Sequence, residues 1–227
     1  MPLPLIDKFD NFELVRNEIA AILAKETVNQ QLLADAAGKD PDLWKFDVFI
    51  ERSRPWESLT SSENPVFPVV NVWFDSENFA GNQSFNALLQ TAEDGIFNID
   101  IFTVAINKKS AGEGYITADR QAVLDRDRIV RLVRNILFSV PPNNTLPGED
   151  YTFLNLKGIV GYRRIQSIKT FQPEYDKQAV TVVTARVALA VKYIETSLEG
   201  PDQDLDLIQV DTITTDGGQV IFTFDTT

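Results

Sequence analysis

The chain has 227 residues, 33 acids against 21 bases, a formal net charge of -12, and neither cysteine nor histidine. Without cysteine there are no disulfide scaffolds, thiolate zinc sites or cysteine nucleophiles. Without histidine there are no Ser-His-Asp triads, imidazole bases or most transition-metal sites.

A chain of this length buries roughly 70–75% of its unfolded surface and needs no covalent or metal staple. Hydrophobic residues at 44% and charged residues at 24% are ordinary globular proportions. No run reaches the ~20 apolar residues of a membrane span, and MPLPLIDKFD lacks the basic and apolar regions of a signal peptide. The expectation is a protein kept in a cytosol-like compartment, away from membranes.

The first element reads as a helix: Phe12, Val15, Ile19, Ile22 and Leu23 recur at spacings of three and four behind Asp10 or Asn11. The pattern runs on through Leu32 and Leu33 toward Ala37, Gly38 is a natural stop, and Thr27-Val28-Asn29 is a candidate break. Phe46–Ile50 and Val69–Phe74 read as strands, joined by the polar connection Ser53–Pro65. Asp75–Gln83 reads as a polar loop, Phe85–Ala92 as a short helix, and Ile96–Ile106 as a third strand. The 53–83 region is a candidate insertion or arm.

Asn107–Gly114 is a loop of turn formers. Thr117 then opens a second helix with the stripe Ile129, Leu132, Val133, Ile136 and Leu137, ended by Pro141-Pro142-Asn143-Asn144. Gly158–Phe171 and Ala179–Ile194 read as two strands, the second about 50 Å long at ~3.3 Å per residue. Leu205–Thr214 and Gln219–Phe224 read as a final hairpin around Asp216-Gly217-Gly218. Helix, strands, helix, strands without βαβ alternation argues for a single α+β domain over 1–227. Its sheet should be twisted and largely antiparallel, packed with the N-terminal and central helices, with long late strands.

Searches for chemistry give little. Gly112-Glu113-Gly114 starts like a glycine fingerprint, but Thr117 stands where its third glycine belongs. Asp202, Asp204 and Asp206 share the first spacings of a calcium loop, but Leu207 replaces its glycine and Ile213 its glutamate. Asp47, Glu51, Asp75, Glu77 and Asp100 are the carboxylates near strand ends, the raw material of a carboxylate hydrolase. No catalytic residue, metal ligand or cofactor is assigned.

Charge position is more informative than its sum. From Glu195 to Thr227 there are eight acids and no base, whereas Tyr151–Gln172 holds Lys157, Arg163, Arg164 and Lys169 with no acid. Arg120–Arg134 holds five arginines against two acids. Two readings stand: solvated faces, or head-to-tail association in which an acidic edge meets the next copy's basic one. On the second, Arg126, Arg131, Arg134, Arg163, Arg164, Asp202, Asp204 and Asp206 are interface candidates. Trp56 joins them as an aromatic in a Pro-bounded connection. Lys108, Lys109, Asn143 and Asn144 are loop contacts for other partners.

The order of elements is similar to that of the tail terminator (tail completion) proteins of long-tailed bacteriophages. The stretches FLNLKGIVGYRRIQSIKTF (Phe153–Phe171), VTVVTARVALAVKY (Val180–Tyr193) and LDLIQVDTITTDGGQVIFTFD (Leu205–Asp225) resemble that family's late sheet. The resemblance implies a non-enzymatic virion protein, assembled in the host cytoplasm, that forms a homo-hexameric ring capping the tail tube. Tube protein and a neck or connector protein would be its partners, with DNA passing through unbound. Acidic walls suit that passage, because they repel phosphates. The alternatives are another neck or head–tail joining protein, a carboxylate hydrolase, and an acidic mimic of DNA.

Overall fold

The computed structural model describes residues 9–60, 67–79, 89–105, 118–138, 151–171, 181–196, 210–214 and 220–224. Helix α1 spans Asn11–Ala36. Its start is fixed twice. The Asp10 N–H donates to the Glu13 carboxylate at 3.1 Å, and the N–H groups of Asn11 and Phe12 donate to Glu195 at 3.1 and 2.9 Å. Glu13 acts locally, whereas Glu195 is 183 residues from Phe12 in sequence, so this second set of bonds forms only once the sheet is built. Gly38 takes φ +67 just past the end, where a Cβ would be strained. The candidate break at Thr27–Asn29 does not occur. Thr27 is buried and its hydroxyl donates to the Trp44 carbonyl at 2.8 Å, which ties the helix to the turn after it. Val28, Leu32 and Leu33 are exposed, so the apolar stripe leaves the core at that point.

Five strands form one sheet in the order β1-β2-β3-β5-β4: β1 Asp47–Ile50, β2 Val69–Phe79, β3 Leu89–Ala105, β4 Val160–Phe171 and β5 Thr181–Thr196. All neighbours are antiparallel except β1 and β2, which run parallel through a crossover containing the 3-10 helix Pro55–Thr60. Helix α2, Ala118–Phe138, joins α1 on one face. The expected α+β class, with a mostly antiparallel sheet, an N-terminal helix and a central helix, is what the chain adopts. A separate two-stranded sheet pairs β6, Val210–Thr214, with β7, Val220–Phe224.

The period of two sorts the strands. Val70, Val72, Phe97, Ile99, Ile101, Val187, Leu189 and Val191 meet Val15, Ile19, Ile22 and Leu23 of α1 and Ile129, Val133 and Leu137 of α2 in one core. Fully burying each such aliphatic side chain is worth ~1.5–3 kcal/mol. The alternate residues Val69, Phe102 and Val182 face the other way and are roofed by Trp56 and Leu59 from the crossover.

Two local expectations are corrected by the long central ladder. Asp75–Phe79 is strand, not loop, and Leu89–Ala92 is strand, not helix, because Ser76–Phe79 pairs with Ala92–Ile96 and Leu89–Ala92 pairs with Tyr193–Thr196. Consequently Val69–Phe79, inside the expected 53–83 arm, is built into the sheet between β1 and β3. The polar run is tolerated because the pairing is interrupted by bulges between Phe74 and Ser76 and between Asn78 and Phe79. A third irregularity lies between Ala92 and Gly95, beside the ring of Tyr193.

Candidate functional site

The face of the sheet opposite the helices carries a polar cluster at its centre. Asp100 on β3 and Arg186 on β5 are register partners. Both are displaced to this face by the alternation that buries Ile99, Ile101 and Val187 on the other. The guanidinium engages the carboxylate through two bonds, Nε to Oδ1 at 2.7 Å and Nη2 to Oδ2 at 2.8 Å, and the Trp73 indole N–H donates to Oδ2 at 3.0 Å. Arg186 also lies over the rings of Trp73 (4.7 Å) and Phe171 (5.4 Å). The Asp100 side chain is 8% exposed and that of Arg186 35%. Hydrogen bonding to Asp100 raises the arginine's pKa, so the guanidinium keeps its charge.

Beside it, a cleft of about 280 Å³ is lined by residues that include Glu51, Arg52, Trp56, Asn71, Trp73 and Asp100. Asn71 holds its rim in place: its amide accepts from the Arg52 N–H at 3.1 Å and donates to the Arg52 carbonyl at 3.2 Å. Glu51 takes φ 49, and its Oε1 accepts from the Phe74 N–H at 3.0 Å and from Arg16 at 3.2 Å. Two of the strand-end carboxylates therefore share one cleft, Glu51 and Asp100, and both are committed to holding neighbouring strands. Asp100, with three donors on its two oxygens, is an anchor and not a free base.

The charged candidates divide by role. On α2, Arg126 bonds Asp127 at 2.7 and 2.9 Å, while Arg131 and Arg134 are exposed on the helix. On β4, Arg163 donates to the Leu137 carbonyl at 2.6 Å and to the Thr152 carbonyl, and it packs on Phe138. It ties β4 to the end of α2. Arg164, exposed, pairs with Asp94 at 2.8 Å, which raises its pKa. Trp56 packs on Phe102 of its own chain with ring centroids 5.7 Å apart, and it keeps partial exposure. Asp202, Asp204, Asp206, Lys108, Lys109, Asn143 and Asn144 lie outside the described residues.

Strand β4 supplies the remaining feature. It is the last strand of the sheet, paired only with β5 among the described residues. Gln166 and the run from Ile168 to Phe171 are exposed, as is Tyr162, with Ile168 43%, Phe171 39% and Tyr162 45% accessible. Lys157, Arg164 and Lys169 are exposed in and before the same strand. Among the described residues it is thus an edge strand, with the exposed lysines Lys157 and Lys169 beside apolar side chains, the kind of edge that pairs with further strands unless it is blocked.

The residues that sequence reasoning missed are Arg186, Trp73 and Asn71. A signal was present for the first: Arg186 is the only charged residue in Val180–Val191, an otherwise uncharged strand-forming run. Comparison against protein-family models and against curated proteins finds no match.

Proposed function

We propose that this protein is a non-enzymatic, ring-forming structural component of a long-tailed bacteriophage particle, a terminator that caps the tail tube and presents a docking surface to the neck. The observation that carries the proposal is the charge division of the fold. Among the described residues β4 is an edge strand in the acid-free segment Tyr151–Gln172, and residues 197–227 hold seven acids and no base. A heterologous contact between such surfaces propagates from copy to copy and closes into a ring when the rotation permits. Complementary charge steers the encounter and fixes its register. A lumen bordered by the acidic segments repels DNA phosphates and leaves the duplex free to pass. The order of elements and the stretches of the late sheet that resemble tail terminators point the same way.

Native mass spectrometry of the purified protein, with and without tail-tube protein, tests this function. A six-subunit species, alone or formed on the tube, is the expected result. A chain that stays monomeric and ignores tube protein at high concentration overturns it.

A further inference from the structure

We infer that the open edge of β4 is the seat for the β6–β7 hairpin of a neighbouring copy, which adds its strands to the sheet by β-augmentation. The inference rests on the ring reading above and names the contact that builds the ring.

Two strand edges that have no further partner among the described residues motivate it. Among the described residues strand β4 has a single partner along its twelve residues, and its last four, Ile168–Phe171, are all exposed. The β6–β7 hairpin forms a sheet of its own with five-residue strands. An isolated two-stranded hairpin is marginal in water and gains stability when a further strand joins it. The compositions also match. VDTIT and VIFTF are rich in β-branched and aromatic residues, as an added strand should be. The segment bearing them is purely acidic, whereas Tyr151–Gln172, which contains β4, is purely basic. Main-chain bonds would supply affinity, and the acids of the hairpin's segment against the exposed Lys157 and Lys169 would favour this pairing over like pairings.

The native chain has no cysteine, so single cysteines report unambiguously. Full-length Lys169→Cys and Asp211→Cys variants are mixed, treated with a short bismaleimide, and digested for peptide mass spectrometry. Any 169–211 link in this mixture joins two chains. The expected result is a several-fold excess of 169–211 links over 169–169 and 211–211 links, lost in about 1 M salt, where the Debye length falls to about 3 Å. Links in statistical proportion overturn the inference. So does a Lys169→Cys/Asp211→Cys double variant that links only within single chains at low concentration. Native mass spectrometry of the same samples separates the two proposals. A six-membered species without 169–211 links removes this contact and keeps the ring, whereas linked but open-ended chains keep the contact and remove the ring. Charge reversal gives a second readout: Lys169→Glu and Asp211→Lys each abolish assembly, and combining them in one chain restores it.

Discussion

Asp100 and Arg186 face each other across β3 and β5, locked by two short bonds at 2.7 and 2.8 Å on the helix-free side of the sheet. Removing one partner strands the other. Arg186→Ala leaves a nearly buried carboxylate with only the Trp73 indole as donor. It should cost about 3 kcal/mol, the low end for a buried pair because Arg186 keeps a third of its exposure. Arg186→Lys should recover little, since an ammonium cannot reproduce the two-pronged geometry. Urea unfolding of Arg186→Ala, Asp100→Ala and the double variant gives the coupling energy; additive costs would contradict the pairing.

Gly95 and Tyr193 give a steric prediction. A Cβ on Gly95 would sit 2.3 Å from Cε1 of the fully buried Tyr193 ring. Gly95→Ala should destabilise the fold by about 1–3 kcal/mol through overpacking. In a Tyr193→Ala background the same change should cost far less, and equal costs in both backgrounds would refute the contact.

Two half-buried carboxylates set a pH dependence. Desolvation raises the pKa of Glu18, although Asn155 and Lys25 pull it back, and desolvation likewise raises that of Glu195 against the bonds from Asn11 and Phe12. A carboxyl raised in the folded state favours folding when protonated. Its contribution is therefore complete below the unfolded value and lost as pH rises through the folded one. From these two groups, stability should increase as the solution is acidified from about pH 7 into the upper carboxylate range. Glu18→Gln should be more stable than the parent at neutral pH and should show a shallower gain on acidification. Thermal melts across that range check it, and parallel slopes would count against it.

The two halves of α1 should respond differently to truncation. Leu23→Ala empties a fully buried site and should cost about 2–5 kcal/mol. Leu32→Ala, at a position 66% exposed, should stay within about 0.5 kcal/mol. Chemical denaturation of the pair decides whether the stripe ends where the structure ends it.

Helices and central strands were legible because their burial is one-sided. Val15, Ile19, Ile22 and Leu23 write a helical period into α1, and Phe97, Ile99 and Ile101 write a period of two into β3. The parallel pairing of β1 with β2 was not legible, since alternation carries no direction. Nor was the strand character of Asp75–Phe79 and Leu89–Ala92, whose composition suits a loop and a helix and whose conformation is imposed by partners far along the chain. Glu195 was read as one more acid of an acidic terminus, yet it is spent on the first turn of α1. Asp100 is one of five strand-end carboxylates in the sequence, its role is set by Arg186, and only the fold places the two together.

The pairing of β3 with β5 also governs when this protein matures. The nearest partners in that ladder are Ala105 and Thr181, and the farthest are Leu89 and Thr196. A nascent chain leaving the ribosome thus carries β1, β2 and β3 with an unfilled seam until β5 has been translated. Contacts of such sequence separation form slowly and leave apolar strand surface open in the meantime. The growing polypeptide should be a strong client of holding chaperones until β5 emerges and fills that seam.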